Sequence, residues 1–273
     1  MHPILVDFGT HDLPLLGTTH LFLPTYGLFF ATGAVLAWWW FVRRARTLGL
    51  PQEPVFNLAF STLLAGLIGA KLTLIAIDLP YYLANPVEIL ATIRSAGVLM
   101  GGILGAALAF VFFARRHRLP LLSLGDAIVA PVALAQAIGR LGCLAAGCCW
   151  GRATDGWCAI RFTNVAAHEQ TGVPLNVPLM PTQLIEFGFD LALACVLTWA
   201  WRRRLRPEGT VAWIYLVLYG LGRGIIEHWR GDSVRGVWFH GALSTSQMFS
   251  IASIAIGAFL LARNRRRAAT SPA

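Results

Sequence analysis

Apolar residues run in seven stretches along this chain, roughly 25–42, 55–77, 97–114, 126–144, 183–201, 210–229 and 243–262, separated by short polar segments. A helix needs about 20 apolar residues to cross a bilayer, so each stretch predicts one membrane-spanning helix. Basic clusters occupy every second gap: Arg43-Arg44-Ala45-Arg46, Arg115-Arg116-His117-Arg118, Arg202-Arg203-Arg204-Leu205-Arg206 and Arg263-Asn264-Arg265-Arg266-Arg267. Such clusters stay in the cytoplasm, which puts the N-terminus outside and the C-terminus inside. The expected fold is therefore an all-α integral membrane protein with seven transmembrane helices and a small periplasmic cap.

The polar segments refine this picture. Residues 1–24 carry Asp7 and Asp12, lack a basic leader and are broken by Pro3 and Pro14, so they read as an outer arm rather than a cleaved signal peptide. The longest segment, 145–182, contains Asp155, Gly156, Gly172, Pro174, Pro178 and Pro181 and reads as an outer cap of loops. Neither a repeat nor a low-complexity linker divides the chain, so 1–273 is expected to be a single polytopic membrane domain. Glycines in the second span (Gly66, Gly69), the third (Gly97, Gly101, Gly102, Gly105) and the sixth (Gly220, Gly222, Gly224) predict close helix approach.

Composition agrees: 56% hydrophobic residues, 13% charged residues and a mean hydropathy of +0.63 exclude an ordinary soluble domain. In a soluble protein the net charge of +9 would suggest nucleic acid. Here most of the 22 Lys and Arg residues sit in the four clusters, so the charge serves orientation and contact with anionic membrane lipids. No nucleic-acid partner is expected, and Arg44 is expected to tolerate replacement. Lys71, Arg94, Arg140, Arg152, Arg161, Arg223, Arg230 and Arg235 lie instead within spans or on the outer side.

Two of these arginines share a depth. At about 1.5 Å per residue, Arg140 lies roughly 21 Å beyond Asp126 in the fourth span, and Arg223 roughly 20 Å beyond Thr210 in the sixth. Lys71 and Glu186 fall at a similar level in the second and fifth spans. Intramembrane ionisable groups mark functional sites, although snorkelling or simple ion pairing accounts for many single cases. Tyr219, Arg223, Glu227 and Arg230 form one polar stripe on the sixth helix, readable also as a salt-bridge ladder. Gln183, Glu186 and Asp190 form another on the fifth, as readily structural as catalytic. Two guanidinium forks at headgroup depth suit a phosphate carrying acyl chains.

The run Gly139-Arg140-Leu141-Gly142-Cys143-Leu144-Ala145-Ala146-Gly147-Cys148-Cys149-Trp150-Gly151-Arg152 resembles the signature of the prolipoprotein diacylglyceryl transferase family, in a cysteine-rich form. Tyr26-Gly27-Leu28, Ala70-Lys71-Leu72, Gly101-Gly102-Ile103-Leu104-Gly105, Asp126, Pro181-Thr182-Gln183-Leu184-Ile185-Glu186, Tyr219-Gly220-Leu221-Gly222-Arg223 and Leu243-Ser244-Thr245-Ser246-Gln247 agree with the family in order and spacing. The resemblance covers nearly the whole chain. It implies a multi-pass enzyme of the bacterial cytoplasmic (inner) membrane that moves the diacylglyceryl group of phosphatidylglycerol onto the lipobox cysteine thiol of exported preprolipoproteins. The product is a thioether, glycerol phosphate leaves, and no cofactor or metal is implied. Arg140 and Arg223 would be catalytic, holding the phosphodiester and stabilising the departing phosphate. Tyr26, Met100, Gly101, Gly102, Gly142, Cys143, Gly147, Cys148, Gly151, Tyr219, Glu227 and Arg230 would line the substrate site.

Three positions depart from the family. Met100 stands where the family usually has a His before the Gly-Gly of the third span, and a thioether takes no proton. Cys143 occupies the signature's Asn position and Cys148 its Glu position. A lost general base typically costs 10²- to 10⁴-fold, though a thiol acceptor ionises more easily than an alcohol. Cys143, Cys148, Cys149 and Cys158 lack the paired spacing of a zinc site. A disulfide from Cys158 to one of the adjacent pair is the first expectation, then packing as small hydrophobes, then a thiol acting as base or relay. Two other functions fit the departures or the charges: a weakened relative that binds lipid or lipoprotein without turnover, and a transporter, against which stands the lack of an internal repeat.

Overall fold

The computed structural model describes residues 2–13, 17–92, 97–232, 236–238 and 243–270; Arg94 and Arg235 lie outside the described residues. Strands β1 (Ile4–Leu13) and β2 (Gly17–Pro24) pair with each other, so the N-terminal arm carries a two-stranded ribbon. Helices α1 (Thr25–Arg46), α2 (Gln52–Ile77), α3 (Leu79–Ala84), α4 (Val87–Ala91), α5 (Leu99–Arg116) and α6 (Leu121–Ala146) follow. The cap segment contributes β3 (Ile160–Arg161), α7 (Val165–Thr171) and β4 (Pro178–Leu179). Then come α8 (Thr182–Arg202), α9 (Thr210–Ile226) with a 3-10 turn over Glu227–Trp229, β5 (Val237–Trp238), β6 (Leu243–Ser244) and α10 (Thr245–Thr270). Among the described residues, seven helices are long and apolar enough to cross a membrane: α1, α2, α5, α6, α8, α9 with its turn, and α10. All seven predicted spans are present.

Several helices continue into their basic clusters. Cations in a last turn complement the helix dipole, and here they also stack on tryptophans one turn earlier. Arg43 lies 4.1 Å from the Trp39 ring centroid, Arg44 4.6 Å from Trp40 and Arg203 5.5 Å from Trp199. This corrects one expectation. Arg44 is only 5% exposed, so it packs as well as orients, and its removal would cost contacts.

The chain forms two compact units, one of Met1–Val6, Leu23–Ala37 and Gly125–Ala273, the other of Asp7–Phe22 and Trp38–Leu124. In the second unit α2 packs along α5 through small residues. A Cβ on Gly101 would collide with the Gly69 carbonyl oxygen and the Thr73 side chain, and one on Gly102 would lie 3.2 Å from the Gly66 carbonyl oxygen. Helix packing thus requires the glycine at 101. Lys71 donates from Nζ to the Thr92 carbonyl within this unit. Met100 is the second residue of α5 and half-buried.

In the first unit, α9 packs against α8 and α10. It opens on Gly209, whose φ of 87° and missing side chain leave the helix without a cap of its own. Asp126 of α6 supplies one across the bundle: Oδ2 accepts the Gly209 N–H at 2.7 Å and Oδ1 the Ala212 N–H at 2.8 Å. A carboxylate so placed satisfies donors that a helix start leaves unpaired and opposes its dipole. Asp126→Ala is expected to lower stability by about 1–3 kcal/mol, the cost of leaving such buried donors unpaired. Thermal unfolding in detergent measures it, and an unchanged midpoint would mean that α9 does not depend on this cap. The start of α10 is a reciprocal capping box: Gln247 N–H donates to Ser244 Oγ at 3.2 Å and Ser244 N–H to Gln247 Oε1 at 2.9 Å.

The cap segment has a small core of its own. β3 pairs antiparallel with β4, and Phe162, Ala167, Val173 and Leu179 are buried together, with Leu144 and Trp150 packed against them. Asn164 caps α7 by accepting the Ala167 N–H at 3.2 Å. This core holds the end of α6 in place, and the signature run continues from there.

Candidate active site

The signature run is the last two turns of α6 and the turn beyond. A Cβ on Gly142 would come within 3.0 Å of Phe29 Cβ and 3.1 Å of Tyr26 Cδ2, so the absence of a side chain lets α1 lie against α6 and sets Tyr26 beside the helix end. The helix stops where the N–H groups of Gly147 and Cys148 both donate to the Cys143 carbonyl, at 3.0 and 3.1 Å. Gly147 and Cys149 both adopt positive φ, 79° and 59°. For a cysteine this conformation is uncommon and costs about 1–3 kcal/mol.

Beyond the turn the chain threads between two other segments. Gly151 N–H donates to the Met180 carbonyl at 3.2 Å, Arg152 N–H to Trp229 at 2.8 Å, and Gly231 N–H to Trp150 at 3.0 Å. A Cβ on Gly151 would strike the Met180 carbonyl oxygen and lie 2.9 Å from Thr182 Cγ2, so only glycine fits. From α8, Thr182 Oγ1 donates to the Cys149 carbonyl at 2.7 Å and Gln183 Nε2 to that of Cys148 at 2.8 Å. Both side chains are fully buried. The backbone of the turn is therefore fixed from outside.

Glu186, one turn along α8 from Gln183 and 2% exposed, is the hub of an ion cluster. Arg140 Nη1 lies 2.6 Å from its Oε2, and Arg223 Nη1 lies 3.3 Å and Arg230 Nη1 3.8 Å from its Oε1. Arg223 also pairs with Glu227 at 2.7 Å and donates to Ser246 Oγ at 2.8 Å. Arg230 grips Asp232 with both prongs, at 2.8 and 2.6 Å. Three guanidinium groups thus meet three carboxylates. The side chains of Arg140 and Arg223 keep 18% and 13% exposure. Tyr219 lies within electrostatic reach of Arg140, Arg223 and Glu186, and Tyr215 stacks on it at 5.5 Å.

Against this cluster sit three thiols. The Sγ atoms of Cys143, Cys148 and Cys149 lie within 4.8 Å of one another, and Tyr26 lies within electrostatic reach of all three. The neighbouring thiols of Cys143 and Cys148, with the charges of Arg230 and Arg140 beyond, pull the Cys149 thiol down, while the Cys148 thiol beside it is pushed up by Cys143 and Cys149. All five cysteines are free. The disulfide expected from Cys158 is not formed, and Cys158 is not part of the cluster. The end of α6 and the tight turn bring together instead the three thiols of the signature itself.

Of the residues singled out in the sequence, the first unit gathers Tyr26, Arg140, Gly142, Cys143, Gly147, Cys148, Gly151, Tyr219, Arg223, Glu227 and Arg230. Met100, Gly101 and Gly102 belong to the second unit, as does Lys71. The sequence reading missed Asp232 as the partner of Arg230 and Ser246 as a support for Arg223, and it grouped Cys149 with the other cysteines without placing it among the site residues. It also left Glu186 undecided. Its depth beside Arg140 and Arg223 and its place on one helix face with Gln183 pointed to it, without separating a structural from a catalytic role.

Residues 15–263 match the family model described as prolipoprotein diacylglyceryl transferase. A phosphatidylglycerol–prolipoprotein diacylglyceryl transferase of Clostridium tetani is 35% identical over 242 residues, 89% of this chain and 93% of the relative. A second, numbered 2, from Clostridium perfringens is 33% identical over 237 residues, 87% and 89% of the two chains. One from Ruegeria pomeroyi is 32% identical over 266 residues, 89% and 90%. With most of its length matched and the arginines of the signature and of the sixth span meeting on one buried carboxylate, the chain belongs to the prolipoprotein diacylglyceryl transferase family.

Proposed function

We propose that this protein transfers the diacylglyceryl group of phosphatidylglycerol to the lipobox cysteine of exported preprolipoproteins, at the outer face of a bacterial cytoplasmic membrane. The observation that supports this most is the convergence of Arg140 and Arg223 on Glu186. Two guanidinium groups, from two apolar helices, share one anchor, and a guanidinium has five N–H donors with which to meet both that anchor and a phosphodiester. Charge-assisted bidentate bonds of this kind are strong and geometrically selective.

The chemistry follows from where charge moves. The acceptor sulfur, as thiolate, attacks the diacylglyceryl carbon that carries the phosphate ester. A carbon–sulfur bond forms as the carbon–oxygen bond breaks, and its electron pair leaves on glycerol phosphate. One negative charge thus passes from sulfur to the phosphate, which Arg140 and Arg223 are set to stabilise without reorganising. Tyr26 and Tyr219 border the same place, while Gly142 lets α1 lie against the end of α6 that carries Arg140 and Gly147 and Gly151 shape the turn beyond it. Glu227 and Arg230 complete the charge balance.

The purified protein in nanodiscs containing phosphatidylglycerol, given a lipobox peptide, is expected to add a diacylglyceryl mass to the peptide and release glycerol phosphate in equal amount. Complementation of a transferase-depleted strain should follow. Lipid or peptide binding with no glycerol phosphate released, where the Clostridium tetani relative turns over, would overturn the enzyme reading in favour of binding alone.

A further inference from the structure

We propose that Cys143, Cys148 and Cys149 form a tri-thiolate site for Zn²⁺, with its fourth position open to the acceptor thiol. The site stands on its own geometry, whereas the role of the fourth position rests on the transferase reading above. Zinc binds thiolate sulfur at about 2.3 Å, which places the sulfurs of a tetrahedral site roughly 3.8 Å apart. The three Sγ atoms already lie within 4.8 Å of one another, so small side-chain rotations close the gap.

The local backbone explains how an unpaired spacing achieves this. Neighbouring side chains in extended backbone point to opposite faces. The positive φ of Cys149 turns its thiol back to the side of Cys148, while Cys143 reaches the same point from the last turn of α6. Thr182 and Gln183 then hold the carbonyls of Cys149 and Cys148, the kind of outer support that orients metal ligands. Three thiolates select zinc or a similarly soft ion over magnesium or calcium. With zinc they carry one net negative charge, with a fourth thiolate two, and Arg140 and Arg230 face the cluster to offset it. Cys148 and Cys149 are only half-buried, which leaves a side for the fourth ligand to enter.

Such a site would supply what Met100 cannot. On coordination the acceptor S–H gives its proton to water and the sulfur binds as thiolate. As that sulfur forms its bond to the diacylglyceryl carbon, the zinc–sulfur bond breaks, because a thioether is a far weaker ligand. The carbon–oxygen electron pair leaves on glycerol phosphate, and zinc returns to its three cysteines.

The full-length protein, purified under reducing conditions and stripped with chelator, is titrated with Co²⁺. We expect one equivalent to bind, with a sulfur-to-cobalt charge-transfer band and the visible bands of a tetrahedral ion, both bleached by Zn²⁺. Cys143→Ser and Cys149→Ser should each weaken binding at least tenfold; Cys158→Ser and Cys195→Ser should leave it unchanged. The absence of these bands in the unmodified protein, or their survival in Cys143→Ser and Cys149→Ser, would overturn the site without touching the transferase reading. A lipobox peptide, but not its Cys→Ser form, should change the cobalt spectrum, and chelation should slow transfer at least tenfold until zinc is restored. Metal binding with transfer that ignores chelation would overturn the role of the fourth position. A spectral change on peptide addition with no glycerol phosphate released would uphold the metal site and defeat the transferase reading.

Discussion

Arg140→Ala is expected to lower the rate of transfer by about 10²- to 10³-fold, the usual cost of losing one preorganised donor to a developing charge. The loss should fall on the chemical step more than on folding, because Glu186 retains Arg223 at 3.3 Å and Arg230 at 3.8 Å when Arg140 is gone. Arg223→Ala should match it in rate and add instability, since Arg223 also pairs with Glu227 and Ser246. Arg140→Lys keeps the charge but not the planar fork, and at a bidentate site that exchange is not conservative; a loss of about tenfold or more is expected. Arg115, exposed at the end of α5, is the proper control, whereas the buried Arg44 is not. Single-turnover release of glycerol phosphate in nanodiscs reads the effect. A near-normal rate in Arg140→Ala would remove this residue from the chemistry.

The membrane architecture was legible because a run of about 20 apolar residues has few other fates. The helix ends were less so. The helices run into the basic clusters since tryptophans at 39, 40 and 199 give the arginines of the next turn something to lie on, a pairing that a count of apolar residues does not register. The depth argument located Arg140 and Arg223, and these do meet. It could not show that their meeting point is a carboxylate, because Glu186 reads as one of three residues in a short polar stripe until Arg140 arrives from α6 and Arg223 and Arg230 from the end of α9 and beyond. The disulfide was misread for a related reason. A pairing read from spacing assumes loops, whereas here a helix end and a left-handed residue gather Cys143, Cys148 and Cys149 and leave Cys158 apart. Asp126 gave a different lesson: it marks the start of the fourth span in sequence, yet its work is to cap α9, which begins 84 residues later.

Glu186→Gln should separate holding the arginines from using them. The substitution keeps nearly the same shape and removes one charge from among three guanidinium groups. A buried ion pair broken on one side typically costs about 3–5 kcal/mol, so the variant should melt earlier. Its effect on the site should run the other way. On the proposed mechanism Glu186 competes with phosphate for Arg140 and Arg223, which would keep the resting site from binding its anionic lipid, and the phosphate it releases, too tightly. With that competitor neutral, glycerol phosphate should inhibit roughly tenfold more strongly, equivalent to about 1.4 kcal/mol of added anion binding. KM for phosphatidylglycerol should fall together with kcat as product release slows. A merely structural role would lower the amount of folded enzyme and leave both constants of the survivors unchanged. Inhibition by glycerol phosphate measured in nanodiscs decides between them, and an unaltered inhibition constant in a folded Glu186→Gln protein would show that the arginines are not shared between carboxylate and phosphate.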